Sequence, residues 1–256
     1  MRINLNDVTF LFRLKLDSMD RLENLLMVIE FIDKHFDTNI QVMETAPFDN
    51  HILKKLLPKH ISINVIEDYD PIYHYTKYMN RMVKNCQTPI VAVWEADVIV
   101  PIEQITASVD WIRQEKAEFV SPYKEKALDT TRILREIFFK TRDIDILHDN
   151  HGKMIELYSP NPVGGGFFAD REAYIQAGKE NEAFYGWGRE DGERIIRWKI
   201  LGYKYKRVSG PLFHLSHDRG INSRFHSPRQ DDMKTSEVFR IYAMSKNELN
   251  DEIKGW

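Results

Sequence analysis

"TPIVAVWEADVIVP", residues 88–101, decides how the rest of the chain is read. Its unbroken apolar run from Ile90 to Trp94 suits a strand buried on both faces, as at the centre of a parallel sheet. Two carboxylates, Glu95 and Asp97, follow at once, and Pro101 then suits the first turn of a helix, "IEQITASVDWIRQE". A carboxylate at the end of a buried strand is costly unless it meets a cation or hydrogen-bond donors. Two residues apart in an extended chain, Glu95 and Asp97 project to the same side. Asp97 could there hold a divalent metal that in turn bridges phosphates. A solvated strand end, or an N-cap for the next helix, accounts for the pair equally well at this level.

Upstream, "DVTFLFRL" is another apolar run suited to a buried strand. In "SMDRLENLLMVIEFIDKHF" the residues Leu22, Leu25, Leu26, Ile29, Ile32 and Phe36 recur at helical spacing. "NIQVMET" and "ISINVIED" read as strands, "YHYTKYMNRMVKN" as a helix, and "AEFVSP" as a further strand. This alternation predicts an α/β protein with a largely parallel sheet in its first half. In open α/β sheets ligands sit beyond the carboxyl ends of the strands. Arg13, Glu44, the pair Glu67 and Asp68, and Asp97 fall at four such ends.

Downstream of residue 163 the texture changes. "PVGGGFF" reads as a glycine-rich strand or turn, "REAYIQAG" as a short helix, and "GWGREDGERIIRWKILG" as a loop and helix. "YKYKRV" and "PLFHLSH" look like strands, "DRGINSRFHSPRQDD" is polar and irregular, and "MKTSEVFRIYAMSKNE" is helical. The irregular stretch is expected to be mobile without ligand. His214 and His217 are three apart. On a regular strand they would face opposite sides, so both reach one metal only if the chain bends after Leu215. His217, at the strand end, is the better candidate. An aspartate with imidazoles suits Mn²⁺ better than Mg²⁺, which prefers oxygen ligands throughout. The glycine run is neither GxGxxG nor a phosphate-binding P-loop. Glu190 and Asp191, taken alone, are explained by the positive end of a helix dipole.

Composition narrows the partners. With 43% hydrophobic and 29% charged residues, the chain of 256 residues reads as an ordinary soluble globular protein. A net charge of −3 gives no broad basic field for nucleic acid or an anionic membrane. Cys86 is the only cysteine, which excludes an internal disulfide and a multi-cysteine zinc site. The N-terminal apolar run, broken by Arg13, is too short for a signal peptide or anchor, and no stretch approaches the ~20 apolar residues of a membrane span. The expected location is cytoplasmic, with attachment at the inner face of the membrane left open.

Six motifs then line up with a known family. "FLFR", "YTKYMN", "WEADVIVP", "GGGFFADREAY", "YGWGREDGE" and "HLSHDR" occur in the order, and at roughly the spacing, of the motifs of β-1,4-galactosyltransferases. The chondroitin-polymerase-like bacterial glycosyltransferases look similar. The resemblance spans about residues 8–220, and "GWGxED" after a Gly-Gly strand is its most specific part.

The resemblance implies a GT-A fold: a Rossmann-like mixed sheet flanked by helices, in a single domain over residues 1–256. Its nucleotide- and metal-binding half would span about 1–122, and its acceptor-binding half, with the catalytic loop and C-terminal helix, about 123–256. It also implies inverting, metal-dependent transfer from a UDP-sugar to a glycan acceptor, lipid-linked or free, with Mn²⁺ as the metal and Mg²⁺ as the alternative. Carried over by residue, Arg13 matches an arginine that contacts the nucleotide, and Lys77 and Asn80 match a helix motif beside the donor. Glu44, at its strand end, joins that nucleotide-sugar set. Asp97 matches the metal-binding Asp of DxD and His217 the metal-binding histidine, while His214 stands where the galactosyltransferases have a methionine ligand. Gly165 and Gly166 match the sugar-side glycine pair and Trp187 the loop tryptophan. Glu190 matches the acceptor-side acid and Asp191 the catalytic base. The chain departs from the family in three places: Glu95 replaces the first Asp of DxD, His214 replaces methionine, and "FRLKLDS" lacks the "RNR" run. Two other readings remain: a protein that binds a nucleotide sugar or a carbohydrate without transfer, and a retaining transferase, which the "ED" pair disfavours.

Overall fold

A computed structural model describes all 256 residues. The first half runs β1 (Ile3–Leu14), α1 (Met19–His35), β2 (Phe36–Ala46), α2 (Ile52–Leu56), β3 (Ser62–Glu67), α3 (Tyr75–Asn85) and β4 (Ile90–Trp94). There follow β5 (Val98–Ile99), α4 (Ile102–Arg113), β6 (Phe119–Ser121), β7 (Ala127–Asp129), α5 (Arg132–Thr141), α6 (Asp145–Asp149) and β8 (Ile155–Leu157). The remainder is β9 (Gly166–Asp170), α7 (Arg171–Gln176), α8 (Glu190–Leu201), β10 (Tyr205–Arg207), β11 (Leu212–His214), α9 (Pro228–Tyr242) and α10 (Lys246–Ile253).

Seven strands form the main sheet in the order β10-β6-β9-β4-β1-β2-β3. The steps among β1, β2, β3 and β4 are parallel, whereas β9 runs antiparallel to both β4 and β6. The sheet therefore takes strands from both sides of residue 122. Both of its faces are covered, and the strand alternation shows it. Phe10, Phe12, Trp94 and Phe168 point into one apolar cluster with α1 and α4, while Leu11, Val93 and Phe167 point into another with α3, α7 and α8. At the centre, Phe10 meets Trp94 and Phe168 edge-on, with ring centroids 5.4 and 5.7 Å apart.

A second sheet, in the order β5-β11-β7-β8, packs beyond the carboxyl end of β4. Its strands are two or three residues long, too short to show a period in the sequence. Glu95, Ala96 and Asp97 separate β4 from β5, so they sit at the junction of the two sheets.

Two boundaries differ from the sequence reading. Pro101 is the N-cap of α4 (φ −51°, ψ 142°), one residue outside the helix. The C-terminal helix is two helices, and the first begins inside the stretch read as irregular, because Ser227 caps it through the Gln230 N–H and Pro228 occupies its first turn. The break before α10 is set by Ser245 and Glu248, which form a reciprocal capping box.

Candidate active site

Strand register brings the polar residues together. In β4 and β9, Trp94 lies opposite Gly166, and the Glu95 N–H donates to the Gly165 carbonyl at 3.1 Å, so the glycine run abuts the carboxyl end of the central strand. In the second sheet Val98 pairs with His214, and His214 pairs with Asp129. A one-residue slip of β11 would turn His214 to the other face. The chain then bends: Leu215 donates to the Asp97 carbonyl at 2.7 Å, the Asn24 amide donates to the Leu215 carbonyl at 2.8 Å, and Ser216 donates to Thr130 Oγ1 at 2.9 Å. That pinned bend is what lets both histidines face Asp97.

The outcome is a compact three-residue set. His217 Nε2 lies 3.1 Å and His214 Nε2 3.6 Å from Asp97 Oδ2, and the candidate ligand atoms of all three residues fall within 4.8 Å of one another. Each imidazole turns its Nδ1 outward, His214 to Asp129 Oδ1 at 2.8 Å and His217 to the Asp218 carbonyl at 2.9 Å. Burial favours the neutral acid at Asp97, but His214 and His217 outweigh it and hold the carboxyl well below the usual range. One carboxylate and two imidazole nitrogens in a buried corner fit a divalent transition metal such as Mn²⁺.

The loop before α8 lines the same cleft as this set. Gly186, Gly188 and Arg189 all have left-handed backbone (φ 73°, 106° and 73°), and Arg189, as a non-glycine residue, carries strain there. A Cβ on Gly188 would come within 2.8 Å of the Phe225 ring, so the close approach demands glycine as much as the backbone does. This contorted entry delivers Glu190 and Asp191 into the cleft at the start of α8. Asp191 Oδ1 pairs with Arg194 at 2.9 Å, and Arg194 is itself held at 2.7 and 3.0 Å by buried Glu180. Gly164 (φ 93°) passes directly beneath: a Cβ there would lie 2.3 Å from Asp191 Oδ2. Glu190 is only 7% exposed, and its Oε2 has no hydrogen-bond partner. Burial, with Asp191 alongside, pushes its carboxyl up to about 7.

A cleft of about 470 Å³ contains both groups, and Glu95, Gly164, Gly165 and Trp187 line it with them. Arg13 stands one step behind, its Nη2 2.8 Å from Glu95 Oε1, its guanidinium 5.1 Å from the Tyr75 ring centroid, and its Nε and Nη1 buried without partners. Besides Arg13, four of the residues expected as nucleotide-sugar contacts lie outside the cleft wall, and the first, Gly166, backs onto the Trp94 ring. Glu44 is buried at the end of β2, outside the cleft wall. Lys77 is exposed on α3. Asn80 clamps α3 to the chain before α8: both amide protons go to Glu180 and Glu182 (2.9 and 2.8 Å), and its oxygen accepts from the Glu180 N–H.

Several residues that shape the site went unread in the sequence. Asp129 and Arg194 are found only through the partners that the fold gives them. Lys234 on α9 is 3% exposed and donates to the Trp187 carbonyl at 2.5 Å. Burial lowers its ammonium to about 8, against the pull of Glu190 and Asp231. The stretch after His217 makes specific contacts with the first half of the chain. Asn222 accepts from the Tyr73 N–H at 2.8 Å, its carbonyl accepts from the Tyr75 hydroxyl at 2.6 Å, and Arg21 reaches Ser223 Oγ at 3.2 Å.

Known proteins bear on this geometry. The family model described as the N-terminal domain of galactosyltransferase matches residues 150–218, a segment that holds the glycine run, Trp187, Glu190, Asp191 and both histidines. No curated protein sequence matches the chain. Among solved structures, a mannosyltransferase from Pyrobaculum calidifontis in complex with GDP-Man and Mn²⁺ superposes with a TM-score of 0.56 at 14% identity, covering 97% of this chain and 73% of that one. Glucosyl-3-phosphoglycerate synthase from Mycobacterium tuberculosis, in complex with Mn²⁺, UDP and glucosyl-3-phosphoglycerate, gives a TM-score of 0.52 at 13% identity, covering 91% and 77%. The chain has the GT-A glycosyltransferase fold and, across residues 150–218, resembles the galactosyltransferase family.

Proposed function

We propose that the protein is an inverting, metal-dependent glycosyltransferase that moves a hexose or N-acetylhexosamine from a UDP-sugar to a hydroxyl of a glycan acceptor. The observation that carries this reading is that one cleft holds the Asp97–His214–His217 set and the Glu190–Asp191 pair. A binding protein would need the first or an aromatic platform, but not a strained loop that aims a carboxylate.

Asp97, His214 and His217 would hold the cation, which when bound supplies positive charge for the departing diphosphate. Everything else falls to side chains of the chain. A sugar hydroxyl is a poor nucleophile until its proton can leave, and Asp191 accepts that proton as the hydroxyl oxygen bonds to the anomeric carbon. The bond from that carbon to the phosphate oxygen breaks on the opposite face, and configuration inverts. Arg194 keeps Asp191 aimed. Glu190, with a free buried oxygen, orients a neighbouring hydroxyl of the sugar. Trp187 offers a ring face to stack on a sugar, and Glu95, backed by Arg13, forms the nucleotide-side wall.

The test is a screen of UDP- and GDP-sugars with Mn²⁺ and with a chelator, followed by NMR of the product's anomeric configuration. Mn²⁺-dependent transfer from a UDP-sugar with inversion is expected. Retention of configuration would overturn Asp191 as base. Tight nucleotide-sugar binding without any turnover would leave a binding protein.

A further inference from the structure

We propose that Asp129 is a positioning residue for the metal centre, fixing the His214 imidazole so that Nε2, not Nδ1, is presented beside Asp97. The inference rests on the reading above only in taking Asp97, His214 and His217 as a divalent-cation site.

The two histidines of the set share one pattern and differ in how it is secured. Each directs Nδ1 to an oxygen and Nε2 toward Asp97 Oδ2. For His217 the oxygen is the carbonyl of the next residue, at 2.9 Å, which local backbone geometry supplies whatever the side chains are. For His214 it is the Asp129 carboxylate, at 2.8 Å, from a strand 85 residues earlier. A carboxylate only accepts, so a neutral His214 must carry its proton on Nδ1, leaving the Nε2 lone pair free for a cation. A metal-bound histidine tied this way gains orientation and basicity from its outer partner, and losing that partner typically costs 10–100-fold in affinity.

The fold supports the contact on both sides. Asp129 is the parallel-sheet neighbour of His214, and Thr130 next to it accepts from Ser216 and donates to the His214 carbonyl at 2.9 Å. The end of β7 thus secures both the backbone bend and the ring. A methionine at position 214, as the resemblance implies for the galactosyltransferases, would have no proton for such a partner. Asp129 is the complement of having an imidazole there.

The experiment is a titration of Mn²⁺ into the intact protein, alone and with UDP, followed by the EPR signal of free Mn²⁺. Wild type, Asp129→Ala, Asp129→Asn, His214→Met and the double variant Asp129→Ala/His214→Met are compared, with melting curves to confirm folding. Asp129→Ala is expected to weaken Mn²⁺ about 10–100-fold. Asp129→Asn, near-isosteric, should weaken it less, since its amide oxygen can still accept. In the His214→Met background, Asp129→Ala should change affinity less than about twofold, because no ring remains to position. Wild-type affinity in both single Asp129 variants would overturn the inference while leaving the metal site intact. An equal loss in both backgrounds would make Asp129 a general support of the strand and overturn it too. No Mn²⁺ binding by the wild type under either condition would remove the metal reading itself, and this inference with it.

Discussion

The main sheet and the second sheet divide the molecule's work unequally. β1 runs for 12 residues and nearly all of its second half is buried, while β11, which carries His214, has three. The long strands are over-determined: each inward residue meets several others, so no single hydrogen bond decides their place. The short strands and the left-handed loop are held by individual contacts, such as Leu215 to the Asp97 carbonyl, Arg194 to Asp191, and Lys234 to the Trp187 carbonyl. The regular region sets where the cleft opens, and the irregular one supplies the groups inside it. Substitutions in the first should therefore show in stability and those in the second in rate.

The largest effect is expected at Asp191. Asp191→Asn keeps the size and removes the proposed base, so turnover should fall by about 10²–10⁴. Binding of UDP with Mn²⁺ should survive, since the residues proposed for those contacts, Asp97, His214 and His217 among them, are not touched by the change. Single-turnover kinetics with calorimetry of UDP binding measures both. Near-normal turnover would return the acidic pair to helix capping, and lost UDP binding would make Asp191 part of the frame. Phe10→Ala sets the opposite case. Phe10 is fully buried between Trp94 and Phe168, and its loss should cost about 3–5 kcal/mol. For a chain of this size that lowers the melting temperature by roughly 10 °C. KM of the folded fraction, assayed well below the transition, should be unchanged. A rate defect larger than the stability defect would show that frame and site are not separable.

How much could be read in the sequence follows the same division. The strands and helices from β1 to α4 were legible because apolar runs and helical spacing repeat over many residues. The carboxylates at the end of β4 were legible as candidates because polar groups directly after a buried strand stand out. β7 and β8 were not, since three residues carry no period and their partners lie far along the chain. Asp129 is invisible for that reason: it is an unremarkable aspartate until the pairing of β7 with β11 sets it beside His214. The converse holds for Asn80. Its motif was legible, but the structure spends its amide on Glu180 and Glu182.

Gly164 offers a sharper probe, because it tests the loop without touching a charge. Gly164→Ala must place a methyl where Asp191 Oδ2 now lies, at a backbone angle that costs about 1–2 kcal/mol for any residue but glycine. Displacing the carboxylate by an ångström should lower kcat about 10²-fold. UDP affinity should stay near wild type. An unaltered kcat would mean that Asp191 is not held where the proton is taken.

The smallest effect expected is a pH dependence of stability at Glu190, the one cleft acid with a free buried oxygen. Its carboxyl is raised from 4.5 to about 7 by burial and by Asp191, against the opposing pull of Lys234 on α9 and of Arg194 on α8. Between those two pH values the folded protein binds more protons at this site than the unfolded chain does. Its contribution is therefore fully present below pH 4.5 and is lost as pH rises through 7. Lys234 acts at the other end: lowered to about 8, it binds fewer protons folded than unfolded above that pH, so stability recovers as pH climbs toward 10. The wild-type melting temperature should thus sag around pH 7–8. Glu190→Gln cannot ionise and also removes the pull on Lys234, so the acid limb is read below the Lys234 titration, where the difference should move against the wild type by a few degrees from pH 5 to pH 7. The same variant should raise the KM for acceptor at least as much as it lowers kcat, the mark of a residue that orients substrate rather than taking its proton. A flat difference across that pH range, with KM unmoved, would mean that Glu190 neither feels the burial of the site nor faces the acceptor, leaving Asp191 to act alone.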